Sequence, residues 1–296
     1  MPKLIDALRC LVGRLEDEAS LCEPNRLRER LEALDLLDAH FPETPRPVRG
    51  DDSHTAKLAR RARAIHARLE AVNCELYEAI RREIRLRMSP KTLLQWFPSS
   101  AVLEEASRSA SSVGYDYLDE LISGVFQFEE PNEGTVRRES EKVFYQPTPA
   151  RHISSLISQT ALSPADVLID LGSGLGHVPL IVSILTPARS IGIELEATYV
   201  ERAQQCARKL NLPRVRFIHQ DAREANLSSG TVFYLYTPFT GSILDQVLNL
   251  LRREAKTRPI RICTYGPCTS VVAQECWLET TGEPEMNRIA LFRSVG

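Results

Sequence analysis

No stretch of this 296-residue sequence holds the roughly 18 consecutive apolar residues that a bilayer-spanning helix needs. The opening, Met1-Pro-Lys-Leu-Ile-Asp6, breaks its apolar stretch with charge and leads to no cleavage-like site. No membrane segment and no secretory leader are therefore expected, and a cytoplasmic location is the default. There is no excess of positive charge either. The 37 Lys and Arg residues stand against 39 Asp and Glu, a net charge of −2. Dedicated nucleic-acid binders usually carry a basic surplus, so nucleic acid is not an expected partner, although a local basic face is allowed. Cysteine occurs in no useful pattern. The seven are odd in number and form no C-x-x-C pair, and the closest two, Cys263 and Cys268, have four residues between them. That spacing supports neither a zinc site nor a disulfide framework, and no metal is expected. Cys206 and Cys276 read as reduced core thiols.

What is present suits a globular chain. An apolar content of 43% and a charged content of 26% allow a sizeable core without covalent staples. The first ~125 residues read as helical throughout. Leu4, Leu8, Leu11, Val12 and Leu15 form one stripe, and Leu27, Leu31, Leu34 and Leu37 form another behind Asn25, a candidate N-cap. Three prolines between Phe41 and Pro47 interrupt the pattern. A long helix is then expected from about Ser53 to Met88, its apolar face running from Leu58 through Ile84, and Ser89-Pro90 ends it. Arg81, Arg82, Arg85 and Arg87 near its C-terminus read as a solvated face complementing the helix dipole. Residues 98–114 are rich in Ser, and Tyr115 to Ile122 is expected to be helical. No chemical motif and no internal repeat stand out. This half, residues 1–125, could serve as a substrate-recognition element, a lid or a dimerisation surface.

From Phe126 the texture changes, and residues 126–296 read as a second domain. Val143-Phe-Tyr-Gln-Pro-Thr-Pro149 is an extended lead-in held open by two prolines. A helix from Ala150 to Gln159 follows, and then apolar strands alternate with helices. The strands are Val167–Leu171, Ser190–Glu194, Val215–His219, Thr231–Tyr236 and Ile260–Tyr265. Trp277-Leu278 and Ile289 to Phe292 suit two closing strands. Alternation of this kind predicts an α/β fold: a Rossmann-like, mostly parallel seven-stranded sheet, with the all-helical domain N-terminal to it.

The first strand carries the chemistry. It reads Asp166-Val-Leu-Ile-Asp-Leu-Gly-Ser-Gly-Leu-Gly-His177. Apolar residues surround the single carboxylate Asp170, and glycines recur at 172, 174 and 176, where backbone must come close to a ligand at the strand's carboxyl end. The dinucleotide fingerprint has its third glycine three residues after the second. Here the spacing is two, and a carboxylate stands two residues before the first glycine. That charge would repel a pyrophosphate but suits a ligand with a cationic amino-acid part.

This arrangement resembles the first motif of class I S-adenosylmethionine-dependent methyltransferases. The resemblance covers about residues 140 to 296. It implies S-adenosyl-L-methionine as the cofactor, held by Asp170, Gly172, Ser173, Gly174 and Gly176, with Asp170 near the methionine ammonium. Glu194 matches the acidic residue that takes the ribose hydroxyls, and Asp221, followed by Ala222, matches the one that contacts the adenine amino group. Each acid alone has an ordinary reading as a turn cap or helix-terminal charge. Three at successive strand ends are a far more specific signal. More loosely, the aspartate-leucine-glycine-serine-glycine core and the lead-in Tyr145, Pro147 and Thr148 are similar to two protein-lysine methyltransferase groups, the non-SET histone-lysine type and one acting on a mitochondrial ATP synthase subunit. There the lead-in folds over the methionine part of the cofactor.

The resemblance leaves the acceptor open. Enzymes that methylate amino groups of nucleic acids and glutamine carry Asn/Asp-Pro-Pro-aromatic after the fourth strand. Here Tyr236-Thr237-Pro238-Phe239 stands in its place, which argues against a nucleobase acceptor. Tyr236 and Tyr145 are the candidate catalytic residues, with Tyr236 the better placed to line the acceptor pocket. Cys263 and Tyr265 could contribute to the pocket floor. His177 reads as a helix-start residue that caps or packs, and His152 as a surface residue. The resulting expectation is methyl transfer to a lysine, another amine or a hydroxyl, on a protein or on a small molecule. A homodimer through the helical half is a further option. The rivals are a small-molecule methyltransferase and a fold relative that has lost catalysis and serves as a scaffold.

Overall fold

The computed structural model describes residues 2–41, 53–97, 116–128, 146–236, 239–280 and 282–295. Tyr145, Thr237 and Pro238 lie outside the described residues, as do Val143 and Phe144 of the lead-in. Packing divides the chain into two compact units, Met1–Ala79 and Ile80–Gly296.

The first unit contains α1 (Pro2–Asp17), a short 3-10 turn (Ala19–Cys22), α2 (Leu27–His40) and most of α3 (Ser53–Arg85). The stripes on these helices merge into one core of Val12, Leu15, Leu21, Leu34, Leu37, Leu58, Ile65 and Leu69. Arg30 is fully buried among them. Its guanidinium donates to Asn73 Oδ1 at 2.7 Å and to the Leu21 and Glu23 carbonyls at 3.1 and 2.5 Å, so it satisfies acceptors that the core would otherwise strand. Asn25 is not the cap of α2. The helix starts at Leu27 behind Arg26, without a side-chain cap bond.

The second unit opens with the end of α3 and α4 (Lys91–Leu94), then α5 (Tyr117–Phe126) and α6 (Ala150–Thr160). Asp116 and Asp119 form a reciprocal capping box on α5. The same Asp119 accepts Ala150 N–H at 2.8 Å, and Asp116 pairs with Arg151. The two helices that enclose the lead-in are thus pinned end to end. Arg81, which reads from sequence as part of a solvated face, instead donates to the Gly124 carbonyl at 2.6 Å and closes the far end of α5.

After α6 come β1 (Val167–Leu171), α7 (His177–Leu185), β2 (Arg189–Glu194), α8 (Ala197–Lys209), β3 (Val215–His219) and β4 (Val232–Tyr236). The chain closes with α9 (Gly241–Ala255), β5 (Arg261–Tyr265), α10 (Cys268–Val272), β6 (Leu278–Thr280) and β7 (Ala290–Ser294). The sheet order is β3-β2-β1-β4-β5-β7-β6, with β7 antiparallel to both neighbours. All five residues of β1 are buried, as befits a parallel strand covered on both faces. One face packs Ile169, Leu171, Phe233 and Leu235 against Leu244, Val247 and Leu251 of α9. By alternation, Asp170 and its neighbour in register, Tyr234, face the other side. β1 lies between β2 and β4, where the strand order reverses, so the crevice at its carboxyl end is the place a ligand enters such a sheet. Among the described residues no helix is long and apolar enough to cross a membrane, and no group of His, Cys, Asp and Glu could hold a metal ion.

The opposite end of the sheet is held by Asp166. Its carboxylate accepts from Ser163 N at 2.9 Å, Ser163 Oγ at 2.7 Å, Thr231 Oγ1 at 2.9 Å and Arg261 Nη2 at 2.5 Å. Burial alone would raise its pKa, but these donors and the Arg261 charge more than offset that and bring it down to about 2. The unfolded value is higher, at about 3.9. The group therefore contributes stability above about pH 4 that is lost as pH falls towards 2. Asp166→Asn should cost about 1–2 kcal/mol at neutral pH after allowance for solvent screening. The difference from wild type should vanish near pH 2 in urea titrations followed by circular dichroism.

Candidate cofactor crevice and acceptor mouth

The glycine turn is built by backbone conformation. Gly172, Gly174 and Gly176 all have positive φ, of 82°, 53° and 83°. The turn folds back on β2, with Gly172 N and Ser173 N both donating to the Ile193 carbonyl at 2.9 and 3.0 Å. Gly176 then caps α7, packed so tightly on the Phe217 ring of β3 that a Cβ there would enter the ring. Gly192 is a second tight contact. A Cβ on it would lie 2.5 Å from Ser173 Oγ and 2.6 Å from the Phe217 ring. Neither Gly192 nor Phe217 stands among the sequence candidates. An isolated glycine inside a strand is the one signal that points to such a close approach.

Two of the three candidate acids, Asp170 and Glu194, come together at this turn. Glu194 ends β2 and accepts Gly174 N at 2.8 Å through Oε2, and Leu195 N and Glu196 N at 2.8 and 2.9 Å through Oε1. Burial nevertheless raises its pKa, helped by the nearby Glu196. Asp170 is 4% exposed, and its pKa is raised well above the ordinary carboxylate range, first by burial and then by the charge of Glu194. No described side chain pairs with its carboxylate. Two carboxylates thus converge in a low-dielectric setting with no cationic partner for Asp170 among the described residues, an arrangement costly to leave uncompensated. A ligand bringing an ammonium group relieves both, so the donor set fits an amino-acid-bearing cofactor.

Asp221 lies one strand further on, after β3, and its carboxylate is taken up differently. It accepts Arg223 N at 2.9 Å and holds the Arg223 guanidinium as a fork, with Nη2 at 2.6 Å. Ala222 opens the 3-10 turn Ala222–Glu224 that this cap initiates, and it packs against the core under α9. An amino group approaching Asp221 therefore meets a carboxylate already shared with Arg223.

Thr148 in the lead-in is buried, with its hydroxyl 3.0 Å from the Tyr234 hydroxyl. Tyr234 is itself fully enclosed, and burial raises its pKa well above that of a free phenol; the Asp170 charge adds to the effect. The lead-in is thereby fastened over the strand next to Asp170. Tyr234 is missing from the sequence candidates because a tyrosine inside an apolar strand gives no sign of which face it takes.

At the mouth, Tyr236 and Tyr265 end neighbouring strands in register, with ring centroids 4.7 Å apart. The His152 ring lies 4.3 Å from that of Tyr265. His152, expected on the surface, is in fact buried, and its pKa falls to about 4 through burial and the adjacent Arg151. The reason is the turn of α6, which aims residue 152 at the sheet. His177 packs against Phe126 and Phe128 at 6.0 and 5.0 Å, in line with its packing reading. Cys263 is buried in β5, whereas Cys276, expected in the core, is exposed.

Residues 137–234, less than half of the chain, match the family model described as Histone methylation protein DOT1. No curated protein matches the sequence. Among solved structures, similarity is found to an RNA methyltransferase from Salinibacter ruber in complex with S-adenosyl-L-homocysteine. It is 23% identical, covers 50% of this chain and 92% of that one, and has a TM-score of 0.41. A human methyltransferase 10 domain containing protein is 12% identical over 50% of this chain and 83% of that one, with a TM-score of 0.39.

Proposed function

We propose that this chain, a Rossmann-like protein resembling class I S-adenosylmethionine-dependent methyltransferases, transfers a methyl group to an amine of a protein acceptor. The observation that carries the reading is the pair Asp170 and Glu194, two carboxylates at the switch point with no cation beside Asp170 among the described residues. In this reading Asp170 neutralises the cofactor's ammonium, and Gly172 and Gly174 let the backbone approach it. Glu194 accepts the ribose hydroxyls with its remaining lone pairs, and Asp221 takes the adenine amino group in competition with Arg223. Ser173, Gly176 and Ala222 shape the turns that hold these groups, and Thr148 fastens the lead-in over the methionine end. Bound S-adenosyl-L-methionine supplies an electrophilic methyl group on a sulfonium.

Positive charge is lost from the sulfonium in the transfer, so a dry, preorganised site supplies most of what the protein must do. The faces of Tyr236 and Tyr265 suit a cationic or methylated amine, which aromatic rings attract. The amine must reach the methyl group unprotonated. A protein acceptor is favoured over a small molecule by the match to a histone methylation family. The helical residues 1–125 are assigned to acceptor recognition.

Calorimetry with S-adenosyl-L-methionine tests the cofactor half. Glu194→Ala should weaken binding about tenfold or more, since it removes a ligand contact and the carboxylate that orders Gly174. Unchanged affinity in that variant would overturn the assignment. Incubation with methyl-labelled cofactor and a cell extract, split into protein, RNA and small-molecule fractions, tests the acceptor half. Label confined to RNA or to small molecules would refute the protein reading.

A further inference from the structure

A cavity of about 530 Å³ lies on α9. Its walls carry Arg252, Arg253 and Lys256 together with Gln246, Asn249 and Arg223, and among the described residues no carboxylate or aromatic ring borders it. Cations in the last turn of a helix complement its dipole, and that alone would explain Arg252 and Arg253. It does not explain why two amides continue the same face towards the helix start; Arg223, held by Asp221, borders the same cavity from a separate turn. Gln246, Asn249, Arg253 and Lys256 are spaced by three, four and three residues, so they form one stripe along α9. The stripe is about 15 Å long, from ten residues at the helical rise. Among the described residues, no ion pair engages Arg252, Arg253 or Lys256. Glu254, the acid within this segment, is already paired with Arg258.

We propose that this stripe is a docking site for an acidic peptide segment of a protein partner. A stripe of that length matches four or five residues of extended peptide at about 3.3 Å each. Arginine forks and side-chain amides are the donors that suit successive carboxylates. A free anion would fill only a fraction of it. Single-stranded nucleic acid is disfavoured because such sites stack bases on aromatic rings, and no described aromatic ring borders this cavity. The proposal goes beyond the methyl-transfer reading and does not depend on it. The Arg223–Asp221 fork places one end of the stripe beside the carboxylate assigned to the adenine.

The test uses the full chain and a fluorescein-labelled peptide of about six glutamates, followed by anisotropy. Binding should be present at low salt and weaken as salt is added. The double variant Arg253→Glu/Lys256→Glu should lose about tenfold or more in affinity, because like charges now face the peptide. Arg208→Glu, an equivalent change on the exposed side of α8, should leave it unaltered. Calorimetry with S-adenosyl-L-methionine is run alongside and should not change in the double variant. Loss of peptide binding by the double variant with cofactor binding intact supports this proposal, and absence of peptide binding by the wild type with cofactor binding intact counts against this proposal alone. Three results would overturn it: no peptide binding by the wild type at low salt, equal binding by the double variant, or tighter binding of an oligonucleotide of matched charge through the same residues.

Discussion

Asp170→Asn should make the ligand-free protein more stable while it weakens S-adenosyl-L-methionine binding by about thirtyfold or more. The two effects have one cause. The carboxylate is buried, unpaired among the described side chains and repelled by Glu194, so its ionised form destabilises the empty fold. The amide removes that charge at nearly constant volume. A gain of about 1 kcal/mol would show as a rise of about 3 °C in melting temperature for a unit of this size. Binding loses the opposite amount and more, because an ammonium placed against a neutral amide forfeits about 2 kcal/mol or more of charge pairing. The pH dependence gives a second reading of the same group. A carboxyl group whose folded pKa is raised binds more protons in the native state, so stability of the wild type falls as pH climbs from the unfolded value of about 4 to the folded one. That slope should be reduced in Asp170→Asn. Cofactor affinity in the wild type should rise with pH over the same range as the carboxylate ionises. A variant that lost stability and kept its affinity would contradict the site.

Gly192→Ala should cost about 1–3 kcal/mol of stability, the usual range for an added methyl group in a packed interior. The new Cβ would lie 2.5 Å from Ser173 Oγ and 2.6–2.8 Å from the Phe217 ring. Relief by movement of Ser173 shifts the glycine turn that lies directly on it. Relief by movement of Phe217 removes the support of Gly176. Cofactor affinity should therefore fall together with the melting temperature. Gly13→Ala is the control, since an added Cβ there meets nothing within 4 Å. It should leave both measurements unaltered or slightly raise the melting temperature, through the better helix propensity of alanine. Equal melting temperatures for wild type and Gly192→Ala would mean that the turn has slack that the packing does not show.

The fold was largely legible in the sequence because its signals are local. Apolar runs such as Val167–Leu171 mark a strand covered on both faces, and helix-length stripes between such runs impose parallel crossovers. The positions of Glu194 at the end of β2 and Asp221 just after β3 follow from the same pattern, whereas Asp170 stands out as a lone carboxylate inside the apolar run of β1. What sequence could not supply depends on which side chains meet across distant segments. His152 looks like any polar helix residue until α6 turns it onto Tyr265, and Tyr234 looks like ordinary strand filling until Thr148 reaches it from the lead-in 86 positions away. Gly192 carries a hint in its type, but only the position of Ser173 and Phe217 turns that hint into a requirement. The same holds for Asp221. Its place after β3 follows from the residue pattern, whereas its sharing with Arg223 follows from a turn whose geometry the pattern does not encode. Periodicity and charge sequence specify the elements and their order. Long-range packing specifies which of their side chains lie within reach of one another, and the chemistry of the crevice follows from that second set of facts.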